Sequence, residues 1–243
     1  MRLSAFDLKL IAMLAMTADH VAWAFVATDS VLGECLHFIG RLVAPLMAYF
    51  LVVGHHHTKD VRAYALRLGV FAIISQPFYV AYQLAINDTS DIGRHLWHGN
   101  VLFGLMLALG ALWVRHLTLM GFYKIIAIII IYVCAGMADY GRALVLWVLL
   151  FDGFYDKNFD KKDCGDKAGL VVAYVLTLPV MYVAIYGFRQ TVGLGFMHFG
   201  MVLTAFCVLM YNGKKGRTWG GRYLLYVFYP VHLGILAWVR WLS

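Results

Sequence analysis

Apolar stretches long enough to cross a bilayer, about 20 residues at 1.5 Å each, recur from one end of this 243-residue chain to the other. With 63% hydrophobic residues and a mean hydropathy of +0.75, the chain reads as an all-α, polytopic transmembrane helical bundle. Nine spans are expected, at 8–28, 36–54, 64–86, 97–114, 118–137, 142–155, 168–188, 193–211 and 223–242; the sixth is short for a crossing. No composition break, linker or repeat divides them, so residues 1–243 are read as a single integral-membrane domain.

Orientation follows from the basic residues, because cytoplasmic loops carry the excess of Lys and Arg. With the N-terminus in the cytoplasm, fifteen of the twenty fall in inner segments and four (Arg94, Arg142, Arg189, Arg240) in outer ones, leaving Arg41 inside a span. The net charge of +7 is thus a topology signal, and calls for no nucleic-acid partner. Reporter fusions at Asp91 and Asp160 should therefore fall on opposite sides. The four cysteines show no C-x-x-C spacing, so neither a disulfide framework nor a zinc site is indicated. Ala22-Trp23-Ala24 imitates a cleavage site, but Asp19 and His20 interrupt the apolar run before it, and the first span is read as uncleaved.

That interruption is where chemistry is expected. A charge at the centre of a helix in a bilayer costs roughly 2.5–3.5 kcal/mol on insertion scales, so it persists where it faces a polar interior. Under this topology Asp19, His20, Arg41, Asn100, Tyr140, His198 and His232 all fall in the outer half of the membrane. Asp19 and His20 are about 100° apart around their helix, which leaves Arg41 as the expected ion-pair partner of Asp19. His20 is suited to general-base work, since an imidazole of ordinary pKa ~6.5 accepts a proton near neutrality; a hydrogen bond to a backbone carbonyl is its structural alternative. His232 shares a helix face with Tyr229 beside Pro230, as a second catalytic position or a packing contact. Asn100 could donate to a developing oxyanion or bridge two helices. The four prolines lie inside spans and are expected to kink helices around a wet cavity. His55-His56-His57 reads as a solvated helix end, with no metal site. The glycine-rich segments at Gly193-x-Gly195 and near Lys214 fit neither a dinucleotide fingerprint nor a P-loop.

Taken in order, Asp19-His20, Gly40-Arg41 with Ala44-Pro45, Gly99-Asn100-Val101-Leu102-Phe103, Tyr140-Gly141 and Tyr229-Pro230-Val231-His232-Leu233 resemble the TraX family of membrane proteins. The family's named member is the amino-terminal acetylase of conjugative F-pilin, a bacterial inner-membrane protein, and the arrangement of a histidine in the first span, an arginine in the second and a tyrosine and histidine near the end is distantly similar to membrane acyltransferases that acetylate cell-envelope sugars. The resemblance implies acetyl-CoA as a cytoplasmic donor, no metal, and a pilin, glycan or lipid presenting an amine or hydroxyl as acceptor. The matched positions are Asp19, His20, Arg41, Asn100, Tyr140 and His232. Lys214, Lys215 and Arg217, in an inner loop, are the expected contacts for the CoA phosphates. Two other classes compete: a proton-coupled transporter, because intramembrane Asp, His and Arg also build relays, and a non-catalytic pilus-assembly protein.

Overall fold

The computed structural model describes residues 2–87, 89, 92–155, 167–187, 195–217 and 223–243. The two fusion points, Asp91 and Asp160, and Lys157, Lys161, Lys162 and Arg222, expected in inner loops, lie outside the described residues, as do Cys164, Arg189 and Gly193. The described chain is helical and contains no strand. The order is α1 (Ala5–Phe25), α2 (Val31–Gly40), α3 (Val43–His57), α4 (Val61–Asn87), α5 (Ile92–Leu96), α6 (Val101–His116), α7 (Gly121–Ala135), α8 (Gly141–Phe154), α9 (Ala168–Tyr186), a 3-10 helix (Phe196–Val202), α10 (Leu203–Met210) and α11 (Leu224–Leu242).

Five segments are long and apolar enough to cross a membrane: α1, the broken helix α2–α3, α4, α9 and α11. Helices α6, α7 and α8, and the 3-10 helix with α10, occupy the other four expected spans. The chain is a multi-pass membrane protein. Its side-chain distribution fits hydrocarbon as the solvent. The interior is rich in small residues, among them Ala12, Ala15, Ala48, Ala72, Ala108 and Ala111, which let helix backbones approach, while large aliphatics such as Ile125, Ile129, Ile130 and Val133 on α7 point outward. Helix α3 lies at the centre, packed against α1, α6, α8 and α10, and α11 closes the bundle against α4 and α1.

Three interruptions position the polar residues. Span two breaks at Arg41 and Leu42, and Pro45 sits in the first turn of α3 rather than mid-span. A proline there gives up an amide hydrogen that an unbroken helix would direct four residues back, at Arg41; the neighbouring Leu42 carbonyl accepts both the Leu46 amide at 3.2 Å and the Thr204 hydroxyl at 3.0 Å. The helices of the fourth, fifth and sixth expected spans are short for a crossing. At 1.5 Å per residue α6, α7 and α8 reach only about 21–24 Å, against roughly 30 Å of hydrocarbon. Any irregular backbone at their ends that lies within the hydrocarbon must then bond within the protein. These ends bond to each other: the Gly99 amide donates to Met137 O at 2.7 Å and the Asp139 amide to Gly99 O at 3.0 Å.

At the opposite end the polar loop 212–217 wraps the start of α1. Leu3, Ala5 and Phe6 amides donate to Met210, Lys214 and Lys215 carbonyls, and the Asn212 amide donates to Leu3 O. Gly216 has φ +72°, and a Cβ there would overlap the Ser4 hydroxyl, so a left-handed glycine is required by both conformation and space.

Candidate active site

Helices α1, α3, α6 and α11 surround a cavity of about 120 Å³ whose lining includes Asp19, His20, Gly40, Asp139, Tyr140 and Tyr229, with Ala12, Met16 and Met47 continuing it towards the Lys214 end. Ala12, Met16 and Asp19 follow the spacing of one face of α1. A second, outward cavity of about 580 Å³ is lined by Tyr79, Gln83, Asn87, Thr89, His95, His98 and Asp139. Asp139 belongs to both, and His98 Nε2 lies 2.9 Å from its Oδ1.

The first group of contacts fixes Asp19. Its carboxylate meets His37 Nδ1 at 2.9 Å, and His37 is fully buried beneath Trp23 with ring centroids 4.3 Å apart. The expected Asp19–Arg41 ion pair is not formed. Equal depth brought the two residues to the same site, but His37, one turn earlier on α2, takes the carboxylate. Arg41 turns instead to Tyr140, donating from Nη1 to the hydroxyl at 2.6 Å, with its guanidinium 5.9 Å from the Trp23 ring centre. Arg41 is 7% exposed, and its Nε has no partner among the described residues. Gly40 permits the approach of α2 to α1, since a Cβ there would overlap Asp19.

The second group joins His20 and His232. His232 Nδ1 lies 2.9 Å from the Phe228 carbonyl, which can only accept, so in neutral His232 the proton is on Nδ1 and Nε2 is an acceptor. That Nε2 is 3.2 Å from His20 Nδ1, which is also 2.8 Å from Met16 O. His20 Nδ1 must therefore carry the hydrogen that serves both acceptors. The lone pair of His20 is left on Nε2, which bonds to no described residue, on a side chain that lines the cavity. Tyr82 holds the His20 carbonyl at 2.6 Å and packs edge-on to the ring. The two expected alternatives for His20, base and carbonyl-bonded histidine, are thus compatible: the carbonyl fixes the tautomer that frees the other nitrogen.

Tyr140 closes the group. It precedes α8 with φ 54°, a backbone state that a non-glycine residue adopts at a cost of order 1–3 kcal/mol and that clusters at functional sites. Its hydroxyl accepts from Arg41 at 2.6 Å and stands beside the Tyr186 hydroxyl. Asn100 is elsewhere. Its amide hydrogens go to Ala72 O and Gln76 Oε1, both at 2.8 Å, and its Oδ1 caps α6 by accepting from Leu102 N. The helix-bridging role is the one its geometry has, and it does not line the cavity. His198, near the outer start of span eight, bonds through Nδ1 to Gly195 O at 3.2 Å and also lies outside that lining.

Lys214, Lys215 and Arg217 are exposed at the N-terminus of α1. Fifteen helical residues, about 22 Å, separate Ala5 from His20. Loop carbonyls and the Ser4–Asp7 capping box already serve the first-turn amides, so an anion there would meet side chains alone.

Sequence reasoning missed His37, Tyr82 and Asp139. His37 lies four residues before Arg41 on the same helix face, and Asp139 adjoins Tyr140 at a span end; either spacing could have flagged them.

The TraX protein family matches residues 4–240, nearly the whole chain. The chain belongs to the TraX family. It is 37% identical over 239 residues to the "Probable fimbrial assembly protein FimC, serogroup H1" of Dichelobacter nodosus, covering 96% of this chain and 94% of that protein. No solved structure matches it.

Proposed function

We propose that this TraX-family protein is a membrane acetyltransferase, moving an acetyl group from cytoplasmic acetyl-CoA to an amine or hydroxyl presented at the outer half of the bacterial inner membrane. The observation that carries this reading is the free Nε2 of His20, a cavity-lining residue, in a cavity also lined by Tyr140, whose hydroxyl is bonded by Arg41. In the step proposed, the acceptor nitrogen or oxygen attacks the thioester carbonyl while His20 Nε2 takes its proton. The Tyr140 hydroxyl and the Arg41 guanidinium steady the tetrahedral oxyanion, the role that the committed amide of Asn100 does not fill. Collapse breaks the carbon–sulfur bond, and the imidazolium returns its proton to the CoA thiolate. Asp19, held by His37, supplies negative charge next to the histidine that must become cationic. The inner extension of the cavity supports donor entry from the Lys214 side, and the outer cavity, sharing Asp139, supports acceptor entry from the other.

The curated relative is named for fimbrial assembly, which favours a pilin as acceptor and equally supports a second reading, a non-catalytic assembly factor. Calorimetric titration of the purified protein with acetyl-CoA, followed by mass spectrometry of acceptors incubated with it, separates the two. Saturable binding and a mass gain of one acetyl group are expected. Absence of acetyl-CoA binding leaves the assembly reading standing.

A further inference from the structure

The last turns of α3, α6 and α8 converge on Asp152, about 14 Å along α3 from the cavity residue Met47. Sequence reasoning took His55-His56-His57 for a solvated helix end because no other cluster supplied ligands. The fold supplies them. His56 Nε2 lies 2.7 Å from Asp152 Oδ1, and His116 Nε2 lies 3.1 Å from both carboxylate oxygens. The Asp152 side chain is only 2% exposed. Arg115 Nε reaches its Oδ2 at 3.0 Å, so the charge of the carboxylate is already matched without the imidazoles.

The imidazoles are held for something more. Tyr155 stacks on His56 with centroids 4.2 Å apart, and His55 stacks on His116 at 5.3 Å. His55 Nδ1 is buried and has no hydrogen-bond partner among the described residues. Ligand atoms of His56, His116 and Asp152 all lie within 4.8 Å of one another. Around a tetrahedral ion with bonds of ~2.0–2.2 Å the ligand atoms stand about 3.3 Å apart, so the separations of 2.7 and 3.1 Å from the carboxylate must open by roughly half an ångström or less, and the two imidazole nitrogens, within 4.8 Å of each other, must settle at about the same spacing. Two imidazoles and a carboxylate suit zinc, cobalt or nickel rather than calcium or magnesium, which prefer all-oxygen shells. Arg115 on the remaining carboxylate oxygen orients that ligand, as hydrogen-bond partners of metal-bound carboxylates do.

We propose that His56, His116 and Asp152 bind a divalent transition-metal ion of the zinc class, with His55 or a water in the fourth position. The ion clamps the inner ends of α3, α6 and α8, and this role is independent of acetyl transfer. The test uses full-length protein purified without a histidine tag, stripped with chelator and titrated with Co(II). One equivalent per chain is expected, with the visible absorption of four-coordinate cobalt, displaced by Zn(II), and with zinc raising Tm. His116→Ala and His56→Gln, both at partly exposed side chains, should each weaken binding by at least the ~10–100-fold that loss of a ligand's hydrogen-bond partner alone costs. His57→Ala, whose ring bonds to Val53 O at 2.8 Å, should leave it unchanged. Failure to bind one equivalent of cobalt, or affinity unaltered in both His116→Ala and His56→Gln, overturns the proposal.

Discussion

Two histidine clusters stand on the same bundle and do opposite things with their nitrogens. In the His20–His232 pair, His232 bonds to a carbonyl and to His20, and His20 bonds to a carbonyl, so one lone pair remains, on a side chain that lines a cavity. At the C-terminal ends of α3 and α6, His56 and His116 both direct Nε2 at a single buried carboxylate. The first arrangement keeps a nitrogen free for a proton in transit. The second commits its nitrogens to one point in space. Residue type alone does not separate a base from a clamp; the partner of each nitrogen does.

The largest expected effect tests the free lone pair. His20→Ala should lower acetyl transfer by roughly 10²–10⁴-fold with the protein still inserted and folded, whereas His56→Gln and His116→Ala should leave turnover intact. Near-normal turnover in His20→Ala would erase the distinction between the clusters and pass the base role to His232. Next comes the carboxylate beside the pair. His37→Ala strips Asp19 of its partner, and loss of one member of a buried pair typically costs about 3–5 kcal/mol, so a large drop in Tm is expected; an unchanged Tm would show that Asp19 is held by other means. Gly40→Ala places a methyl on Asp19, and overpacking of this kind costs about 1–3 kcal/mol. It should lower Tm less than His37→Ala, and lower activity in step by tilting α1. Removing the charges of Lys214, Lys215 and Arg217 should raise KM for acetyl-CoA several-fold at constant kcat, because these residues lie about 22 Å from His20; unaltered KM would reduce the loop to a topology signal. His198→Ala should be nearly silent in both rate and Tm.

The apolar runs made the helical bundle and its element order legible, since a span of about 20 apolar residues has few other fates. Depth was legible as well, and it brought Asp19, Arg41 and Tyr140 into one neighbourhood. Which residue pairs with which was not, because depth says nothing of direction around the helix axis. His37 and Arg41 lie one turn apart, and only packing decides which of them meets Asp19. Asn100 read as a catalytic amide or a helix bridge until its capping of α6 and its bonds to α4 were visible. Asp152 shows a different gap. It lies within the expected sixth span, and the argument from the cost of a buried charge that singled out Asp19 applied to it equally. Its partners, His56 and His116, stand 96 and 36 residues before it and gave no local spacing to read.

The contact between His20 and His232 spans 212 positions of the chain, and the loop that caps α1 follows that helix by nearly the whole sequence. Helix α1 is made well before α11, so until α11 emerges the candidate base has neither the neighbour that shares its hydrogen nor the wall contributed by Tyr229. Contacts this distant are made late, after the intervening loops have closed. A ribosome-bound or truncated product that stops before α11 therefore carries His20 without the hydrogen-bond arrangement that fixes its free lone pair. Assembly of the site is coupled to the synthesis of α11.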